Sequence, residues 1–284
     1  MKNIFLILFF TATVQLVIGQ KRGLEKIIVE KYYISDANDA KTDMIGGALP
    51  IGSVTYRIYV DMLPGYRFQA AYGVDGHELR ITTSTKFFNN HNFGGIVPTV
   101  IPDQVLGENT VMLDSWLSVG AASEFAYGIL KSKDKASKEK TIVNKDGILL
   151  NSDQRAGIPV KTADGLVILD GIVPKVTGFG IDSLIEDYFG KGLNRKYDPA
   201  FSTNNGSWAC LGGSIGPDSL DNQVLIAQIT TDGDFSFELN IQIGTPSGGV
   251  ENYVARNPVG EEIQFDSLIY NSSAMKKKGY NRQK

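Results

Sequence analysis

A chain of 284 residues with 42% hydrophobic, 10% aromatic and 21% charged content has ordinary globular composition and enough apolar mass for a sizeable core. Its 28 basic and 31 acidic residues leave a formal net charge of −3, so no electrostatic field favours a nucleic-acid partner. One cysteine and two histidines leave no material for a disulfide framework, a zinc-ligand cluster or a Cys-His catalytic pair.

The N-terminus places Lys2 before an apolar run from Ile4, broken by Thr11, Thr13 and Gln15 and ending in Val17-Ile18-Gly19. This pattern predicts a secretory signal peptide over residues 1–19, with Gln20 leading the mature chain. An uncleaved membrane anchor is the rival, but the run is short and interrupted for a span. No later stretch has the length and apolarity of a transmembrane helix. The expected destination is therefore secreted, extracellular or periplasmic.

Lys26 to Ile34 is rich in β-branched and aromatic residues and reads as the first strand. The loop after it, Asp36 to Asp43, carries three aspartates and an asparagine that could offer oxygens to calcium. It lacks the glycine and distal glutamate of an EF-hand loop, and a solvated turn is the plainer reading. Ser53 to Met62 alternates, with Val54, Tyr56, Ile58, Val60 and Met62 on one face and Thr55, Arg57, Tyr59 and Asp61 on the other. Leu63-Pro64-Gly65 is expected to turn it into a hairpin with Tyr66 to Val74, and Glu78 to Ser84 supplies the next strand. Such close-spaced strands have the rhythm of a sandwich or barrel.

Lys86 to Gly95 is a long loop rich in aromatics and amides, either a functional loop or one packed over the sheet edge by Phe87, Phe88 and Phe93. Val111 to Val119 reads as a buried strand anchored by Trp116. From Lys131 to Lys140 the charges are dense and unpatterned, as in an exposed loop. Two similar turn-strand units follow, Lys145 to Leu150 and Ala163 to Leu169. Ile181 to Phe189 is the single convincing helix, with Asp182 as N-cap and Gly190 beyond its end. Ser207 to Leu211 is a short strand containing the lone Cys210, read as a core thiol. Asn222 to Gly244 is expected to be the organising hairpin. In its second half Phe235, Phe237, Leu239, Ile241 and Ile243 share one face, and Asp232-Gly233 is read as a type I′ turn. A last strand is expected near Ile263 to Tyr270, before a frayed basic tail.

The expected architecture is all-β: an antiparallel, jelly-roll-like sandwich in one domain over residues 20–256, with an irregular excursion over 131–205 containing the short helix. Residues 257–284 hold the last strand and tail.

Few residues point to chemistry. Gly212-Gly213-Ser214-Ile215-Gly216 matches a hydrolase elbow in letters, but a strand follows and His77 and His91 precede the serine, so the match reads as coincidence. No residue is assigned as catalytic, cofactor-binding or metal-binding. Glu30, Glu78, Glu124, Glu238 and Glu251 leave a two-carboxylate sugar hydrolase open. Arg57 and Tyr59, on the polar face of their strand, could stack on a sugar ring or join a protein interface, though packing beneath a loop explains Tyr59 equally well.

The strings Ser53 to Asp61, Phe68 to Val74, Thr85 to Asn90, Leu113 to Gly120 and Val224 to Gly233 resemble an uncharacterised extracellular module. It is seen in secreted proteins of Bacteroidota and other marine bacteria, sometimes in type IX secretion cargo. The resemblance covers residues 24–256 and implies a secreted, modular, adhesive or structural part, with no functional residues to transfer. Residues 257–284 do not resemble a type IX sorting domain. Asp182-Ser183-Leu184, Asp218-Ser219-Leu220 and Asp266-Ser267-Leu268 are similar to the O-glycosylation sites of Bacteroidota, though such short matches also arise by chance. The expected function is a non-enzymatic binding or structural module whose partner is a glycan or a cell-surface protein; the alternative is a secreted carbohydrate-active hydrolase.

Overall fold

The computed structural model describes residues 22–35, 37, 39–40, 47–106, 108, 110–134, 165–190 and 200–273, together with the backbone of 142–143 and 149–150. The predicted signal peptide, most of the Asp36 to Asp43 loop, most of the lysine-rich stretch and the basic tail lie outside the described residues. In chain order the strands are β1 (Leu24–Ile34), β2 (Val54–Met62), β3 (Arg67–Gly73), β4 (Leu79–Thr83), β5 (Trp116–Leu117), β6 (Tyr127–Gly128), β7 (Ile142–Val143), β8 (Leu149–Leu150), β9 (Leu166–Val167) and β10 (Thr177–Phe179). After the helix α1 (Asp182–Phe189) come β11 (Ala200–Thr203), β12 (Gly206–Ser214), β13 (Gln223–Thr231), β14 (Phe235–Glu238), β15 (Ile241–Gly244), β16 (Val250–Val254), β17 (Ile263–Gln264) and β18 (Ile269–Asn271).

The fold is an all-β, sandwich-like assembly. One layer is the sheet β1-β2-β13-β5, and facing it are the sheets β10-β12-β3-β15-β16-β17 and β11-β4-β14-β18. All their pairings are antiparallel except β16 with β17. Between the layers, Tyr56, Ile58, Val60, Val224 and Ile229 meet Phe68, Ile81, Phe235, Phe237, Ile241 and Ile243 in one buried cluster. Tyr56 stacks on Phe235 with ring centroids 4.7 Å apart, and the Trp208 indole N–H donates across the layers to the Ile226 carbonyl at 3.2 Å. Helix α1 plugs one margin of this core with Ile185, Tyr188 and Phe189. Asp182 is the first helical residue and makes no capping bond; Ile181 occupies the N-cap position, and Gly190 ends the helix as expected.

The face periodicity is as read, but the pairing is not. All five apolar residues from Phe235 to Ile243 are buried, yet β13 pairs with β2 and β5 while β14 pairs with β4 and β18. Asp232-Gly233 is thus a corner between layers, and Gly233 has no positive φ. Hydroxyls hold the corner: Thr85 donates to the Asp232 carboxylate at 2.5 Å, and the Ser84 hydroxyl accepts the Asp234 N–H at 2.8 Å. The run then divides at Asn240, whose amide donates to the Tyr72 and His77 carbonyls, each at 3.1 Å. This passes the strand from β4 to β3. Leu63-Pro64-Gly65 is likewise an inter-layer corner, since β2 and β3 lie in different sheets. An alternating strand identifies its buried face, whereas its neighbour depends on contacts distant in sequence.

The Val111 to Val119 stretch is buried as expected, but it forms a 3₁₀ turn over Val111–Leu113 before the two-residue β5. Asp114 causes the break, because its carboxylate accepts the backbone N–H groups of Asn90 at 2.6 Å and Gly95 at 2.8 Å. The same bonds pin the Phe87 to Gly95 loop against the body, with Phe87, Phe88, Asn89 and Asn90 buried. The packed reading of that loop holds.

Candidate functional site: a cleft above a buried polar cluster

The first sheet is covered on its outer face too. Tyr32, Tyr59, Trp116 and Leu225 pack there against Leu106, Val111, Met112, Ala126 and Leu166 in a second buried cluster. Consequently Arg57 and Tyr59, both 0% exposed, cannot stack on a sugar at the surface. The stacking reading is corrected and the alternative, packing beneath a loop, holds for Tyr59: an alternating polar row marks a face, but here the polar groups pair with one another under a cover. Lys131, expected in an exposed loop, is also buried.

The cluster is built from register and reach. Glu30 lies opposite Arg57 in the β1–β2 ladder, and the guanidinium sits 3.6 Å from the centroid of the Tyr32 ring. Arg57 Nε donates to Gln228 Oε1 at 2.8 Å, and Nη1 donates to the Gly165 carbonyl at 3.0 Å. Gln228 donates in turn to the carbonyls of Met112 and Asp114 at 2.9 and 2.7 Å. Tyr59 donates to the Ile129 carbonyl at 2.8 Å, while Glu30 Oε1 accepts the Lys131 N–H at 2.8 Å. Asp134 accepts the Gly165 N–H at 2.7 Å. Arg57 Nη2 has no hydrogen-bond partner, but the bonds that are made fix the geometry of whatever backbone supplies the partners. Here that backbone is residues 129–134 and 165, which flank the β6–β9 ribbon. Gly128 permits the ribbon's close approach, since a Cβ there would meet Leu225 Cδ2 at 2.2 Å.

Burial pushes the Glu30 carboxyl up to about 7, against the opposing pull of Arg57 and the Lys131 N–H. Burial and the Glu30 charge also hold the Tyr59 hydroxyl well above its ordinary range. Burial alone would lower Arg57, but Tyr32, Tyr59 and Glu30 hold it up, so it stays a cation. A carboxyl raised on folding makes stability greatest below its unfolded value and loses that contribution as pH rises through the folded value. Wild type is therefore expected to lose about 3 kcal/mol relative to Glu30→Gln between pH 4.5 and 8. Urea unfolding of both proteins across that range measures it; parallel pH profiles would contradict the assignment.

Beside this cluster opens a cleft of about 350 Å³, with Ile129, Leu130, Val167, Leu169 and Pro217 as its apolar walls. Lys133 and Asp221 close an ion pair of 2.6 Å between the two sides. The 217–223 side is held by Asn222, at φ +36°, whose amide donates to the Leu63 and Tyr66 carbonyls at 2.8 and 3.0 Å. Exposed Ile168 and Leu220 are chain neighbours of the cleft's lining residues. The two carboxylates on the cleft are already engaged, Asp221 by Lys133 and Asp218 as acceptor of the Leu220 N–H at 3.0 Å.

The five glutamates have different settings. Glu30 is in the cluster, and Glu238 accepts Arg256 Nε at 3.1 Å. Glu251 accepts the Tyr253 hydroxyl at 2.5 Å and the Gly23 N–H at 2.9 Å. Glu78 is exposed and Glu124 half-buried. Ser214 is opposite Phe68 within the bulged β12, far from the strand-to-helix turn that an elbow needs, and His77 is bonded to Glu262 at 2.9 Å. Cys210 is partly buried, and burial raises its thiol. Asp39 accepts the Tyr33 hydroxyl at 3.0 Å; most of the proposed calcium loop lies outside the described residues. Among the described residues no three His, Cys, Asp or Glu side chains converge as a metal site, and no helix is long and apolar enough to cross a membrane.

A second, open cleft of about 430 Å³ lies on the outer face of β11-β4-β14-β18, where Arg80, Thr82, Ser236, Glu238 and Asn271 line it. Sequence reasoning missed both clefts, because each joins segments far apart in the chain. Comparison with protein-family models, curated proteins and solved structures returned no match.

Proposed function

We propose that this chain is a secreted, non-enzymatic binding module that docks a protein partner in the cleft between residues 129–133 and 217–223. The observation that carries the reading is the cleft's make-up: aliphatic walls, a charged rim at Lys133 and Asp221 and exposed Ile168 and Leu220 next to lining residues in the chain. Apolar patches rimmed by polar groups are the usual form of protein-binding surfaces. A glycan site would instead favour exposed aromatic rings. Among the described large apolar side chains that are exposed, only Phe125 and Phe179 are aromatic. The leader-like first 19 residues and the resemblance to secreted Bacteroidota modules support the extracellular placement.

A photo-cross-linking residue at Leu220 is expected to give a discrete protein adduct with the surface of source cells, lost on Leu169→Asp and absent with the same cross-linker at Val259. Equal adducts from both positions would remove the cleft from consideration. A glycan array run with the mature chain, with and without calcium, covers the alternatives. Saturable glycan binding blocked by Arg80→Ala would move the site to the outer sheet face, and turnover of any glycan would overturn the non-enzyme reading.

A further inference from the structure

The outer face of the sheet β10-β12-β3-β15-β16-β17 carries two rows of uncharged side chains, set by strand register. Trp208, Ala71 and Ile241 of these strands point into the core, so their chain neighbours point outward. One row runs Ala209, Ala70, Gln242 and Asn252 across β12, β3, β15 and β16. The next runs Phe179, Ser207 and Tyr72 across β10, β12 and β3. Phe179 is 48% exposed and Tyr72 is half-buried; with β12 between them, their strands stand roughly 10 Å apart. Gln69 joins the first row at the bulge in the β3–β15 pairing. Gly244 makes room for it, since a Cβ there would meet Gln69 Nε2 at 2.8 Å.

We infer that this face binds an uncharged polysaccharide chain, laid across the strands with its sugar rings on Phe179 and Tyr72 and its hydroxyls on the amides of Gln69, Gln242 and Asn252. Two rings set a strand apart serve successive parts of one chain, where a single ring would hold one sugar. The polar groups are available. Gln242 donates to Asn252 Oδ1 at 3.0 Å, which leaves Gln242 Oε1 and the Asn252 N–H groups to a ligand. Among the described residues the Gln69 side-chain amide and the Tyr72 hydroxyl make no hydrogen bond. Charge selects the class of glycan. The charged neighbours border the rows and carry opposite signs: exposed Arg67 faces Gly244 at one end, and Glu262, paired with His77 at 2.9 Å, acts on the Tyr72 hydroxyl at the other. Burial and that carboxylate push Tyr72 up to about 12, so it stays a protonated donor, and an acidic sugar beside it would meet like charge. A protein partner suits the face less, because amides and hydroxyls break its apolar surface instead of rimming one patch.

This surface is separate from the docking cleft, and native affinity electrophoresis of the mature chain through soluble polysaccharides tests it alone. Hydroxyethyl cellulose, glycol chitin, laminarin and a galactomannan are the uncharged probes, with alginate as the acidic one. Wild type is expected to be retarded by at least one uncharged probe. Phe179→Ala should weaken that affinity by about tenfold, the effect of losing one stacked ring, at an unaltered urea midpoint because the ring is exposed. Asn252→Ala should weaken it too, whereas Arg80→Ala and Leu169→Asp, on other surfaces, should leave it as in wild type. No retardation by any uncharged probe, stronger retardation by alginate, or affinity unaffected by Phe179→Ala would overturn the inference. Loss on Leu169→Asp would place the glycan in the cleft and overturn it as well. A discrete protein adduct from a photo-cross-linking residue at Ser207 would assign the face to a protein, with the same result.

Discussion

Trp208→Ala is expected to lower the free energy of unfolding by about 3–5 kcal/mol, the range for truncating a large buried aromatic. Trp208 is 0% exposed and the largest fully buried side chain. It stands on β12 and packs edge-on against Phe201, with centroids 6.3 Å apart. Its hydrogen bond to Ile226 contributes less than its volume, because the same carbonyl also accepts the Ser118 N–H at 2.8 Å and keeps a partner when the indole is removed. Trp208→Phe should therefore recover more than half of the loss. Urea denaturation of the three proteins measures this as a fall in midpoint at unaltered slope. Equal losses for the alanine and phenylalanine variants would show that the hydrogen bond, not the packing, governs the site.

Arg57→Ala is expected to cost a similar amount, about 3–5 kcal/mol, for a different reason. The guanidinium fills buried space over Tyr32 and satisfies Gln228 and Gly165. Its loss leaves Gln228 Oε1 without that donor in a site closed to water, at about 1–3 kcal/mol for a group left unsatisfied, while the Gly165 carbonyl keeps the Ile129 N–H at 3.0 Å. It also removes the charge that pulls the Glu30 carboxyl down, so Glu30 should titrate higher still in this variant. Arg57→Met restores most of the volume without the donors and should lie between alanine and wild type. Denaturation at pH 5 and pH 8 checks both parts. A loss under about 1 kcal/mol would mean that the cluster contributes little net stability.

What could be read in the residues themselves was periodicity. The alternation from Val54 to Met62 and from Phe235 to Ile243 placed the buried faces correctly, and the spacing of turn residues led to a β-sandwich. The helix ending before Gly190 was also legible, because its signals are local. Partnership was not. Asn240 and Asp114 look like ordinary polar residues in strand-forming runs, and they redirect the chain only through backbone groups supplied by Tyr72, His77, Asn90 and Gly95.

The candidate site belongs to the same class of hidden information. Arg57 and Tyr59 read only as polar-face residues, with surface stacking and packing beneath a loop both open, because strand patterning reports which side of a pleat a side chain occupies, never what lies on top of it. The sequence by itself determined the inward faces and the strand-rich class, since both follow from side-chain spacing along one segment. Only the tertiary structure decided which strands pair, that the outer face of the first sheet is covered, and that Lys131 and Glu30 meet beneath a cleft. Those outcomes depend on long-range contacts, where burial strengthens electrostatic interactions and turns a polar stripe into an interior.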